Sequence, residues 1–163
     1  MKTIVSVITA GAILSAGGFM AAMAAEQTHV VQTLKDAQWG PAPPFIPAGA
    51  QIAVLSGDPT KPVPYAVRLK FPANYTIAPH SHPTTENVVV VSGAVTFGMG
   101  EKLMKDAATN KTLPIGGFGS FPAGMNHFAY TAQESTIVLY GQGPVEFKYV
   151  NPADDPRNTK AAK

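Results

Sequence analysis

Residues 79–86 read Pro79-His80-Ser81-His82-Pro83-Thr84-Thr85-Glu86, and a further imidazole, His127, follows downstream. The chain has four histidines, and His80, His82 and His127 are three of them. Side chains on a strand alternate faces, so His80 and His82 project the same way and can grip one ion together. Glu86 shares their parity but lies beyond Pro83, which cannot donate to a β-ladder and marks a strand end or bend. The carboxylate then opens a second strand, Asn87 to Val91 with four consecutive valines, closed by the turn signal Ser92-Gly93. Pro122-Ala123-Gly124 forms a turn three residues before His127, which heads the aromatic run Phe128-Ala129-Tyr130. A His-x-His pair alone is more often a surface or hydrogen-bonded pair than a ligand pair; Glu86 and His127 at matching strand ends make it a candidate metal site. His29 lies outside the pattern and reads as solvated.

The arrangement His80-x-His82-x3-Glu86-x6-Gly93, followed by Gly116-x5-Pro122-x-Gly124-x2-His127, resembles the two-part signature of the cupin superfamily. The 22 residues between Gly93 and Gly116 have room for a hairpin and loop. Two positions depart from the pattern. Asn74 stands where a glycine is usual, although asparagine also tolerates positive φ, and Thr131 stands where an asparagine is usual. The resemblance spans residues 63–150 and implies an all-β double-stranded β-helix, or jelly-roll barrel, holding a metal through His80, His82, Glu86 and His127. It implies no particular reaction, because small cupins include oxygenases as well as lyases and isomerases.

Upstream, residues 1–24 open with Lys2, continue uncharged and apolar, and end Ala22-Met23-Ala24, as a secretory signal peptide with an A-x-A cleavage site does. An uncleaved anchor is the alternative, disfavoured by the Gly, Ser and Thr content. Export to the periplasm or the medium of a bacterium is the expectation. With no cysteine, packing and the metal must hold the fold without disulfides. Residues 25–163 suffice for one domain with a real core. Formal charge falls from +2 to +1 without Lys2, and only 13% of residues are charged with no basic cluster, which argues against nucleic acid and stable membrane association as partners.

Residues 25–62 form an arm and the first barrel strands. Trp39, read as a packing anchor, heads a proline-rich stretch to Gly49 that wraps the outside, and Gln51 to Leu55 is a strand. Tyr65 to Phe71 alternates, with Tyr65, Val67, Leu69 and Phe71 inward and Arg68 and Lys70 solvated; Arg68 would face an anionic substrate only in the opposite register. Strands are expected at 94–100, 116–121, 136–140 and 145–150, with a solvated charged loop over 101–111 and a polar, disordered tail over 151–163. Tyr75, Phe97, Met99, Phe118, Phe121, Phe128 and Tyr130 are candidates for the cavity wall.

Three imidazoles and one carboxylate suit one divalent Fe, Mn, Ni, Co or Zn ion and leave coordination positions open for a small-molecule substrate or ligand. The expected function is a metal-dependent cupin of mononuclear oxygenase type. A redox-neutral lyase or isomerase is the alternative, for which Tyr75, Tyr130 and Glu86 itself are weak general-base candidates, and a non-enzymatic binder is another. Exposed strand edges make a homodimer plausible.

Overall fold

The computed structural model describes residues 29–158; the expected signal peptide lies outside them. Eleven strands follow in order: β1 (Gly40–Pro41), β2 (Gln51–Ser56), β3 (Pro64–Phe71), β4 (Thr76–Ser81), β5 (Glu86–Ser92), β6 (Ala94–Met99), β7 (Lys111–Pro114), β8 (Phe118–Phe121), β9 (His127–Tyr130), β10 (Ser135–Gln142) and β11 (Lys148–Tyr149). They pair antiparallel into two sheets, ordered β1-β2-β3-β10-β5-β8 and β11-β4-β9-β6-β7. This is the expected all-β jelly roll.

The inward residues of both sheets build one core. Val67, Leu69 and Phe71 of β3, Val88 and Val90 of β5, and Ile137 and Leu139 of β10 face Ile77, Val95, Phe97 and Ala129 across it. Burying each large apolar side chain contributes roughly 1.5 to 3 kcal/mol, so a barrel without disulfides has its stability from this interior. The β5–β6 turn requires Gly93, at φ +69°, where a Cβ would also run into the Glu134 carbonyl and Ser135.

Four expectations need correction. Arg68 does point away from the core, yet it is 9% exposed, because the arm folds over it and the guanidinium donates to the Thr33 carbonyl at 3.1 Å. The closing strand expected at 145–150 shrinks to β11, since Val145 and Phe147 pack as a strap rather than a ladder. Residues 151–158 are ordered: Pro152–Asp154 is a 3-10 turn, and Arg157 pairs with the Asp155 carboxylate at 2.6 Å while donating to the Phe147 carbonyl at 3.0 Å. The strand expected at 116–121 shortens to β8, because Gly116 and Gly117 belong to the turn after the edge strand β7. Trp39 is half-buried, with the Lys70 ammonium 4.3 Å over its ring.

Candidate metal centre

Strict alternation along β4 would put Ile77 and His80 on opposite faces. The pairing with β9 changes that: Ile77 lies opposite Ala129 and His80 opposite His127, so β4 spends one more residue than β9 over this interval. Such a bulge re-aims the side chains that follow it. It turns His80 inward beside His127, and His82, just past the strand end, follows by parity. Glu86 heads β5 in the facing sheet, in line with inward Val88 and Val90. The four side chains are 1–7% exposed.

The ring centroids lie 4.8 Å (His80–His82), 4.5 Å (His80–His127) and 5.2 Å (His82–His127) apart. One nitrogen from each ring falls within 4.8 Å of the others, a spacing that can hold one ion. The Glu86 carboxylate reaches the Nε2 atoms of His82 and His127, each at 3.4 Å. Two ligands about 2.1 Å from a shared ion at the tetrahedral angle are about 3.4 Å apart.

Hydrogen bonding fixes the tautomers. Nδ1 of His80 lies 2.8 Å from the Ala78 carbonyl, Nδ1 of His82 2.8 Å from the Glu146 carbonyl and Nδ1 of His127 3.0 Å from the Met125 carbonyl. A carbonyl only accepts, so each Nδ1 carries the proton and each Nε2 presents a bare lone pair. The His82 Nε2 is buried with no hydrogen-bond partner. Lone pairs facing a carboxylate at 3.4 Å repel unless a cation lies between them, and an orphaned buried acceptor is costly. The donor set therefore fits a divalent ion.

The electrostatics agree. Burial, reinforced by the neighbouring rings, pushes His80 down to about 3, and burial also lowers His82, against the opposing pull of Glu86. Burial raises the Glu86 carboxyl, whereas a hydrogen bond from His127 and positive charge on the rings pull it below its ordinary value, a pull that a bound cation would supply where the rings are neutral. At neutral pH the site presents neutral His80 and His82 rings to a carboxylate, an arrangement that calls for positive charge.

The other sequence candidates are distributed unevenly. Phe97 lines the cavity at the site and Phe121 stacks on His127 at 4.4 Å and 12°. Phe128 is buried on the opposite face of β9, Met99 and Phe118 are about half exposed, and His29 is exposed as expected. Tyr130 lies at the other end of β9, about 10 Å along the strand from His127, and Tyr75 just precedes β4, five residues from His80. The Tyr75 hydroxyl donates to the Pro47 carbonyl and that of Tyr130 to the Lys105 carbonyl at 2.8 Å. Sequence reasoning missed Phe147, whose ring stacks on His80 at 4.4 Å and 8° and meets His82 edge-on at 4.6 Å. Sixty-four residues separate Glu146 from His82, whose ring it orients, and no local pattern signals that contact.

A domain family of unknown function, DUF4437, matches residues 22–158. No curated protein matches. Among solved structures, the chain is similar to a provisionally assigned acetylacetone dioxygenase from Methylibium petroleiphilum PM1, at 18% identity over 82% of this chain and 89% of that one, with a TM-score of 0.61. It is also similar to an RmlC-like cupin from Ralstonia eutropha JMP134 (20% identity, 76% and 73% covered, TM-score 0.56) and to KdgF from Halomonas sp. (19%, 71% and 95%, TM-score 0.52). At these identities the likeness speaks for the fold, and it agrees with the paired motifs. The chain belongs to the DUF4437 domain family and has the fold of these cupin structures.

Proposed function

We propose that this cupin holds one divalent transition metal through His80, His82, His127 and Glu86 and acts at that ion as a mononuclear oxygenase on a small molecule. The observation that carries the reading is the set of three buried rings whose Nδ1 protons are committed to backbone carbonyls, leaving their Nε2 lone pairs turned toward one another and toward Glu86. A redox-active ion held there would supply open coordination positions for dioxygen and a chelating enolate or diol, the organic substrate being the net electron donor. The chain's own part is to hold the four donors rigid, to exclude water with an apolar wall and to keep the carboxylate ionised. The enclosed cavity beside the site measures about 20 Å³ and is walled by groups such as Val88, Phe97 and Leu139, which suits a molecule of oxygen's size and polarity.

A lyase or isomerase needs a proton carrier at the reacting atoms. Among the described residues lining this cavity the only such group besides His80 and His127 is Glu86, and the hydroxyls of Tyr75 and Tyr130 are engaged elsewhere. This supports oxygenase chemistry over the redox-neutral alternative. We further propose that the protein works after export, on the strength of Lys2 and the uncharged stretch after it, and that it pairs as a homodimer through an open sheet edge such as β8, where Phe118 is 55% exposed.

Oxygen uptake by the iron-loaded protein, screened against 1,3-dicarbonyls and vicinal diols, tests the reading. Uptake with one class, abolished by His82→Ala, is expected. A metal-loaded protein that binds such compounds without consuming oxygen would make it a carrier instead.

A further inference from the structure

The enclosed cavity of about 20 Å³ holds about one water-sized occupant, so no organic substrate lies wholly inside the barrel as it stands. Directly outside, a hollow of about 670 Å³ opens among Ser81, His82, Asn126, Glu146 and Lys148. Phe147 borders both spaces. It is 5% exposed and covers His80 with its face and His82 with its edge.

The backbone around that ring is tied down. Lys148 and Tyr149 pair with Ser81 and His80, the Val150 amide donates to the Pro79 carbonyl at 2.9 Å, and Val145 donates to the Pro59 carbonyl at 2.8 Å. The Phe147 carbonyl accepts from Arg157 at 3.0 Å. The ring itself has only apolar and aromatic contacts, stacking on Phe45 at 5.2 Å as well as on His80, and it borders the outer hollow. Rotating it outward breaks no hydrogen bond, whereas moving the strap breaks several.

We propose that the hollow outside the barrel mouth is where the substrate docks and that the Phe147 ring is the gate past which its donor atoms reach the histidine set. The hollow's lining carries one carboxylate, Glu146, and one ammonium, Lys148, together with the Asn126 amide and the Ser81 hydroxyl. With no net charge and several hydrogen-bonding groups, it fits a neutral or zwitterionic, oxygen-rich small molecule better than a strong anion. The inference rests on the metal-binding reading above. A competing route exists on another side of the barrel, where a hollow of about 240 Å³ at Met99 and Phe118 shares Phe97 with the enclosed cavity.

Cobalt-loaded protein separates the routes, because the visible spectrum of the ion reports ligands that reach it. The probes are azide, which is small, and acetohydroxamate, a larger neutral chelator. Phe147→Ala should speed acetohydroxamate binding by about tenfold or more while changing azide binding much less, as expected for a gate. Phe147→Leu should give a smaller rise in the same direction, which keeps the test valid if the alanine variant folds poorly. Phe118→Ala should leave both rates unchanged, and Lys148→Ala should weaken acetohydroxamate binding without altering cobalt content. Unchanged rates in both Phe147 variants, or a rise in Phe118→Ala instead, overturn the gate while leaving the metal reading intact. Failure to take up cobalt at all overturns both.

Discussion

The two ends of the β4–β9 pair bury polar groups in opposite ways. At the far end the turn groups bond one another: the Tyr75 amide donates to the Thr131 hydroxyl at 3.2 Å, that hydroxyl donates to the Pro72 carbonyl at 2.8 Å, and the Thr131 amide donates to the Tyr75 carbonyl at 3.0 Å. At the mouth, each imidazole has a carbonyl on its Nδ1, the His82 Nε2 has no hydrogen-bond partner, and the Nε2 atoms of His82 and His127 crowd a carboxylate. The far end is closed chemistry, a turn fastened by hydrogen bonds. The mouth is complete only when a cation joins it. The two departures from the usual cupin pattern both fall at the far end. Asn74 adopts φ 58°, the left-handed conformation that a glycine would take, and Thr131 fastens the same turn. Neither touches the ligands, so that turn has been rebuilt while the ligand pattern is kept.

The largest effect expected from this contrast is on metal affinity. His127→Ala should weaken binding of a divalent ion by more than about 100-fold in a chelator competition, since even residues that only orient a ligand are worth 10- to 100-fold. Thr131→Val, at the closed end, should leave that affinity unchanged but destabilise the barrel by roughly 1 to 3 kcal/mol in urea unfolding, because it orphans the Tyr75 amide and the Pro72 carbonyl. A Thr131 variant that loses metal would erase the distinction between the two ends.

The mouth should also make the metal-free protein sensitive to acid. His80 titrates near 3 when folded and near 6.5 when unfolded, so the unfolded chain takes up the proton first as pH falls. Stability should be level above about pH 6.5 and drop from there toward pH 3, by roughly 2 kcal/mol at pH 5 from His80 alone. His82 and Glu86, both lowered, act in the same direction. Urea midpoints at pH 7.5 and 5 measure it, and a flat profile would contradict a neutral buried ring. The smallest effect belongs to Asn74: Asn74→Gly should be nearly neutral, whereas Asn74→Ala should cost about 1 kcal/mol for its left-handed backbone.

The sequence revealed the fold because its evidence was local: alternation in residues 65–71, the valine run after Glu86, and turn residues at the strand ends. The convergence of the four candidate donors was legible for the same reason, since their spacing placed them at strand ends. Their final aim was not, because the bulge between Ile77 and His80 exists only in the register with β9. Arg68 was misjudged because the arm that covers it crosses from 35 residues away. Phe147 and the Glu146 carbonyl escaped because β11 returns to β4 from across the barrel. Contacts made by crossover leave no periodicity to read.

Elemental analysis of the purified protein, beside His80→Ala, His127→Ala and the far-end variants Tyr75→Phe and Tyr130→Phe, tests the central claim most directly. The account predicts one transition-metal ion per chain, lost in both histidine variants and retained in both tyrosine variants. A folded wild-type protein that takes up no metal, or histidine variants that keep it, would contradict it.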